Sequence, residues 1–166
     1  MMKKEKLIYL AQSGIIAAAY AALTLLFYPL SYGLSQLRVS EGLCILPYFT
    51  PAAVPGLFLG CIVANIFGGF GLLDIVCGSL ATLIAAYATY KIKNKWLAPL
   101  PAVLANAVIV GAELAYLMNV PFWQAALGVG AGQAVSCYVI GMPLLFALEK
   151  LQQKWNLFGT IRRNLV

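Results

Sequence analysis

Three carboxylates, Glu41, Asp74 and Glu113, lie inside or at the mouths of long apolar runs. An ionised carboxylate accepts two parallel N–H bonds. A group of three suits a small ligand that presents N–H donors or a positive charge. Arg38 supplies one compensating charge, which leaves the group acidic. Asn65, Asn106 and Gln133 add amide donors and acceptors. Trp123 and Tyr138, or Tyr32 and Tyr48, offer faces on which a planar ring can stack. Asn106 and Glu113 are seven apart and share a helix face with Val110. Gln133 shares a face with Ser136 or Cys137 better than with Tyr138. Glu5 and Glu149 adjoin lysines at helix ends and call for no ligand.

Other chemistry is excluded by residue type. The chain has no His, so a Ser-His-Asp triad, an HExxH zinc site and a haem histidine are ruled out. Cys44, Cys61, Cys77 and Cys137 form no CxxC and lie in apolar runs, where they read as small buried hydrophobes. There is no Walker A or GxGxxG sequence, so no nucleotide is bound by those routes and no cofactor is implied. An intramembrane enzyme using the carboxylates as acid and base lacks supporting groups.

The elements that must position these residues are membrane spans. The chain is 63% hydrophobic and 10% charged, against about 45–50% and about 25% in soluble domains. Mean hydropathy is +0.89. A span needs roughly 20 residues, so the 166 residues allow about five or six spans. The net charge of +6 comes from clusters between apolar runs. These are topology determinants and imply no nucleic acid.

Long runs occupy residues 7–28, 71–90, 98–118 and 120–148. Lys3, Lys4 and Lys6 precede the first, which reads as a retained helix rather than a cleaved signal. Lys91, Lys93 and Lys95 separate the second and third. Lys150, Lys154, Arg162 and Arg163 follow the fourth. The positive-inside rule places all three clusters in the cytoplasm. Residues 31–70 must therefore start and end outside. Their apolar part holds Pro47, Pro51 and Pro55, which break a single helix. The expectation is a hairpin of two short helices with residues 51–55 as its turn. Its first arm is too short to cross as an α-helix. The predicted fold is an all-α integral membrane bundle of six helices, 7–28, 42–50, 55–68, 71–91, 98–118 and 121–149, in one domain with both termini cytoplasmic. This topology puts the three carboxylates in the outer half. Gly14, Ala18 and Ala22, flanked by Ala17 and Ala21, form a small-residue face on helix one that another helix can approach closely.

The block Arg38-Val-Ser-Glu41-Gly-Leu-Cys-Ile-Leu-Pro47, the run Phe49-Thr-Pro-Ala-Ala-Val-Pro55-Gly-Leu-Phe, the run Ala64-Asn65-Ile-Phe-Gly-Gly69 and the run Gly71-Leu-Leu-Asp74-Ile-Val-Cys-Gly-Ser-Leu-Ala-Thr82 resemble the QueT family. So do the Pro-Leu-Pro101 start and Glu113 of the fifth helix. The resemblance runs nearly end to end. It implies a queuosine-precursor substrate-binding (S) component of an energy-coupling factor (ECF) transporter, a multi-pass protein of the cell membrane. Such a component captures a 7-deazaguanine outside and works with a transmembrane coupling subunit and two cytoplasmic ATPases. It also implies a loop over the ligand, here 29–41, and an Ala-x-x-x-Ala docking face, here Ala17/Ala21 and Ala18/Ala22. The 7-aminomethyl form carries an N–H edge and an ammonium. Glu113 or Asp74 would take the ring edge, and Glu41 the loop-facing end. Another planar vitamin, or transport without partners, are the alternative readings.

Overall fold

The computed structural model describes residues 2–31 and 37–155. Tyr32, the middle of the 29–41 connection, Arg162 and Arg163 lie outside them. The described residues are helical without any strand. The α-helices are α1 (Met2–Leu26), α2 (Tyr28–Ser31), α3 (Ala53–Gly68), α4 (Leu72–Lys91), α5 (Leu100–Met118), α6 (Phe122–Ala134) and α7 (Gly141–Trp155). Four helical stretches are long and apolar enough to cross a membrane: Lys4–Leu26, Leu72–Lys91, Lys95–Met118 and Phe122–Lys154. Large apolar side chains such as Leu72, Leu104 and Leu127 face outward, at 75%, 56% and 67% exposure. In water that would be costly; against hydrocarbon it is not. The protein is an all-α, multi-pass membrane protein.

Between α2 and α3 the chain does not form the expected α-helix at 42–50. It forms a 3-10 helix, Val39–Tyr48. Eight of its ten residues are buried, so packing on every side supports it in addition to its own i→i+3 hydrogen bonds. It lies against α1, α4, α7 and the segment preceding α7. A Cβ on Gly42 would stand 2.9 Å from Ile140 Cγ2, which measures how closely the two backbones approach.

The 3-10 form also settles how a short arm reaches so far. At about 2.0 Å per residue, ten residues extend roughly 20 Å, against roughly 15 Å for an α-helix. The arm starts where Thr24 Oγ1 donates to Ser40 Oγ (2.6 Å). It ends where the Tyr48 hydroxyl donates to the Lys93 carbonyl (3.2 Å). The following turn sits beside the first half of α1, where Ser13 Oγ donates to the Ala52 carbonyl (2.9 Å). Then α3 runs back, and the Tyr28 hydroxyl donates to the Gly68 carbonyl (3.2 Å). The excursion thus starts and ends at the same end of the bundle.

The turn is shorter than the sequence suggests, because α3 takes in Pro55 as its third residue. A first-turn proline costs little, since that N–H has no helical partner. Gly56 and Gly60 let α3 press against α1. Added Cβ atoms would lie 2.8 Å from the Ser13 carbonyl oxygen and 2.7 Å from that of Ala17.

The first helix breaks at Phe27, two residues before Pro29, and resumes as α2. The last long helix is continuous to Trp155 but contains a π-helical segment, Val135–Ile140. Pro143 cannot donate to the Val139 carbonyl, and its ring crowds that oxygen. The wider π turn just before it relieves the conflict. At the lysine-rich end, Lys95 Nζ pairs with Glu149 (3.0 Å), tying the α4–α5 connection to α7.

Candidate functional site

Asp74 opens α4, Asn65 is near the end of α3, and Glu113 lies in the last third of α5. With Arg38 just before the 3-10 helix, they meet at the end opposite the lysines. All four are buried, at 3% exposure for Arg38, 1% for Asn65, 1% for Asp74 and 6% for Glu113.

Arg38 is the organiser. Its Nη1 donates to Asn65 Oδ1 (3.0 Å) and its Nε to the Ser31 carbonyl (3.2 Å). Its Nη2 stands 3.7 Å from Asp74 Oδ1, an ion pair too long for a hydrogen bond. Asn65 Nδ2 donates to the Asp74 backbone carbonyl (2.9 Å), which fastens the end of α3 to the first turn of α4. Gly78 makes this possible, since a Cβ there would lie 2.5 Å from Asn65 Nδ2.

The Asp74 and Glu113 side chains are neighbours. Among the described residues, no N–H or hydroxyl donates to any of their four carboxyl oxygens, and the two carboxyls are close enough to share a proton with each other. Buried polar groups are nearly always paired, and leaving one unpaired costs about 1–3 kcal/mol, more when charged. The hydroxyls of Ser79 and Ser136 are also buried without a partner among the described residues. This acidic cluster can accept N–H donors or a cation.

Glu41 does not join it. It is equally buried, at 1% exposure, but its oxygens are occupied. The Tyr20 hydroxyl donates to Oε1 and the Cys44 thiol to Oε2 (2.7 Å). Cys137 Sγ donates to the Glu41 carbonyl (3.6 Å). The three carboxylates therefore divide into a close pair and a third, Glu41, whose oxygens take hydrogen bonds from the protein.

Trp123, in the first turn of α6, is 65% exposed and faces outward. The Tyr138 hydroxyl donates to the Trp96 carbonyl (3.4 Å), and Tyr48 reaches Lys93. Both hydroxyls are therefore committed at the lysine-rich end. Asn106 is buried and donates to the Ala102 carbonyl of its own helix (3.0 Å). Gln133 is buried, and its Oε1, 3.6 Å from Cys137 Sγ, shares that thiol with the Glu41 carbonyl.

Three cysteines are more than filler. Cys44 and Cys137 hold Glu41, and Cys61 Sγ accepts from Thr82 Oγ1 (3.3 Å). Tyr20, Thr82, Gly78 and Ser79 escape sequence reasoning. For Tyr20 a signal existed: Ser13, Tyr20 and Thr24 are polar-tipped residues at i, i+7 and i+11 in an apolar helix. The small-residue face of α1 divides in two. Ala21 is buried and Ala17 half-buried against α3, whereas Gly14, Ala18 and Ala22 are exposed.

Comparison with known proteins meets this geometry. Residues 10–150 match the family described as QueT transporter. A relative from Lactococcus lactis subsp. cremoris (strain MG1363), named Queuosine precursor transporter QueT, is 35% identical over 85 residues, which are 50% of each chain. The matched part of the chain thus spans about half the length of that curated relative. No solved structure is a significant match. The chain belongs to the QueT transporter family, a family of transporters and not of enzymes.

Proposed function

We propose that this protein is the S component of an ECF-type uptake transporter in the cell membrane. It captures a queuosine precursor, a 7-deazaguanine such as the 7-aminomethyl form, from outside. A transmembrane coupling subunit and two cytoplasmic ATPases then complete transport. The observation that carries this reading is the Asp74–Glu113 pair, whose four buried carboxyl oxygens receive no N–H or hydroxyl from the other described residues. The family and the relative's name support the ligand class.

The free acceptors favour the aminomethyl form. Glu41 takes its hydrogen bonds from Tyr20 and Cys44, and Asp74 has the Arg38 guanidinium beside it. Glu113 is the acid left with neither a donor nor a cation from the other described residues. An ammonium would pair with it, and the N–H edge of the ring would satisfy the remaining oxygens. Arg38 and Asn65 then position Asp74 rather than touch the ligand.

In this reading the chain has six helical segments: α1 with α2, the 3-10 arm, α3, α4, α5, and α6 through α7. The lysine-rich end is cytoplasmic by the positive-inside rule, and the acidic end faces outward. The exposed Gly14–Ala18–Ala22 face of α1 meets the coupling subunit. Ala17 and Ala21 serve the contact with α3 instead.

Calorimetry on the detergent-extracted protein tests the ligand. The aminomethyl compound should bind one-to-one, and the neutral nitrile at least tenfold more weakly. Heat with riboflavin or thiamine but no deazaguanine would point to another planar vitamin. Replacing Ala18 and Ala22 together by Leu should stop uptake in cells that carry the coupling module, while leaving ligand affinity within twofold. Uptake that needs no ATPase would identify a stand-alone transporter.

A further inference from the structure

The α4–α5 seam carries a feature unconnected with the acidic site. A groove of about 520 Å³ runs along it, lined by apolar side chains only. Ala85, Ala88, Ala105 and Pro101 form its floor and leave it open for want of bulk, while Ile84 and Leu104 stand at its sides. Ile84 and Leu104 are 54% and 56% exposed, so the groove opens on the outer surface of the bundle. Both flanking helices are long and apolar enough to span a membrane. The groove is therefore bathed in hydrocarbon chains.

One end of the groove is defined by Ile92 and Leu97, which bracket the α4–α5 connection. That connection holds Lys91, Lys93 and Lys95. Lys95 is neutralised by Glu149 at 3.0 Å. Lys91 and Lys93 are exposed, and neither pairs with a carboxylate among the described residues. The Lys91 ammonium stands 5.3 Å from the Tyr87 ring centre and 5.5 Å from that of Tyr90. These rings hold it by cation–π attraction at the helix end. An apolar slot that ends beside two exposed lysines, neither offset by a carboxylate among the described residues, matches an amphiphile with one anionic head.

We propose that the α4–α5 groove holds an acyl chain of an anionic phospholipid whose phosphate rests on Lys91 and Lys93. Selectivity comes from the head, because every tail in the bilayer offers the same hydrocarbon. Each lysine near an anionic head adds a modest electrostatic attraction. Together they should favour phosphatidylglycerol over phosphatidylcholine about tenfold. This does not depend on which ligand the acidic end binds.

Native mass spectrometry of the full protein in detergent, with equal amounts of the two lipids bearing identical chains, reads the preference directly. The phosphatidylglycerol adduct should dominate about tenfold. Lys91→Gln with Lys93→Gln should bring the ratio within twofold, and Lys91→Arg with Lys93→Arg should retain it. Ala88→Phe with Ala105→Phe, melting within a few degrees of wild type, should remove adducts of both lipids. Equal adducts on the wild type would overturn the proposal, as would a preference that survives the glutamine pair. Full displacement of the lipid by glycerol phosphate would overturn it in favour of a free-phosphate site, and an undiminished adduct on the Phe pair would show that the tail lies elsewhere.

Discussion

Glu41 and the Asp74–Glu113 pair are similarly hidden, at 1%, 1% and 6% exposure, yet they are opposite kinds of site. Around Glu41 a tyrosine hydroxyl, a thiol and close backbone packing complete the hydrogen bonding. Around the pair, one guanidinium stands at 3.7 Å from one oxygen, and no N–H or hydroxyl of the other described residues reaches any of the four. Burial is common to both centres and so cannot distinguish them. Satisfaction can. A filled centre fixes the fold, and an unfilled one is where a ligand gains most.

The sharpest way to break this contrast is to neutralise the open pair. Glu113→Gln should weaken binding of the aminomethyl ligand about 30-fold or more, consistent with about 2 kcal/mol for a charged hydrogen bond. Asp74→Asn should do the same to a lesser degree, since Arg38 already offsets its charge. Melting in detergent should not fall for Glu113→Gln, because repulsion between two adjacent buried carboxyls is removed. A lowered melting temperature with unchanged affinity would make the pair structural.

The reverse outcome is expected at the filled centre. Tyr20→Phe leaves Glu41 Oε1 without its donor and should cost about 2 kcal/mol of stability, seen as a lower melting temperature. Ligand affinity should stay within threefold. A larger loss of affinity than of stability would join Glu41 to the binding site.

Gly78→Ala tests the scaffold between them. The new methyl would displace the Asn65 amide, which stands 2.5 Å from its position. Overpacking of this kind costs about 1–3 kcal/mol. Through Arg38 and Asp74 it should weaken binding about fivefold, less than either change to the acidic pair. Unchanged affinity would show that Asn65 does not position Asp74.

How much of this was legible follows from which physics each feature obeys. Hydropathy and lysine clusters are properties of composition along the chain, and they reveal the long helices and the excursion at 31–70. The 3-10 form of Val39–Tyr48 is imposed by packing on all sides, and ten mostly apolar residues carry no period that separates it from an α-helix. Asp74, Glu113 and Arg38 stand out because polar groups are rare in this chain. Whether they meet depends on helix neighbours, so Glu41 could not be told from the others. Tyr138 lies inside the π segment, where counting by 3.6 loses its phase. Trp123 precedes it at the exposed mouth of α6, a place an aromatic belt residue takes as readily as a binding residue.

The 3-10 arm has a metrical consequence. Its ten residues span about 5 Å more than they would as an α-helix. One end is pinned at Lys93 by Tyr48, and the other delivers Arg38 to Asn65. Were the arm to recoil into an α-helix with Tyr48 held, Arg38 would be drawn back by that length and leave Asp74 uncompensated. The segment is a ruler, and the distance it measures is the one that brings a cation to the acidic end.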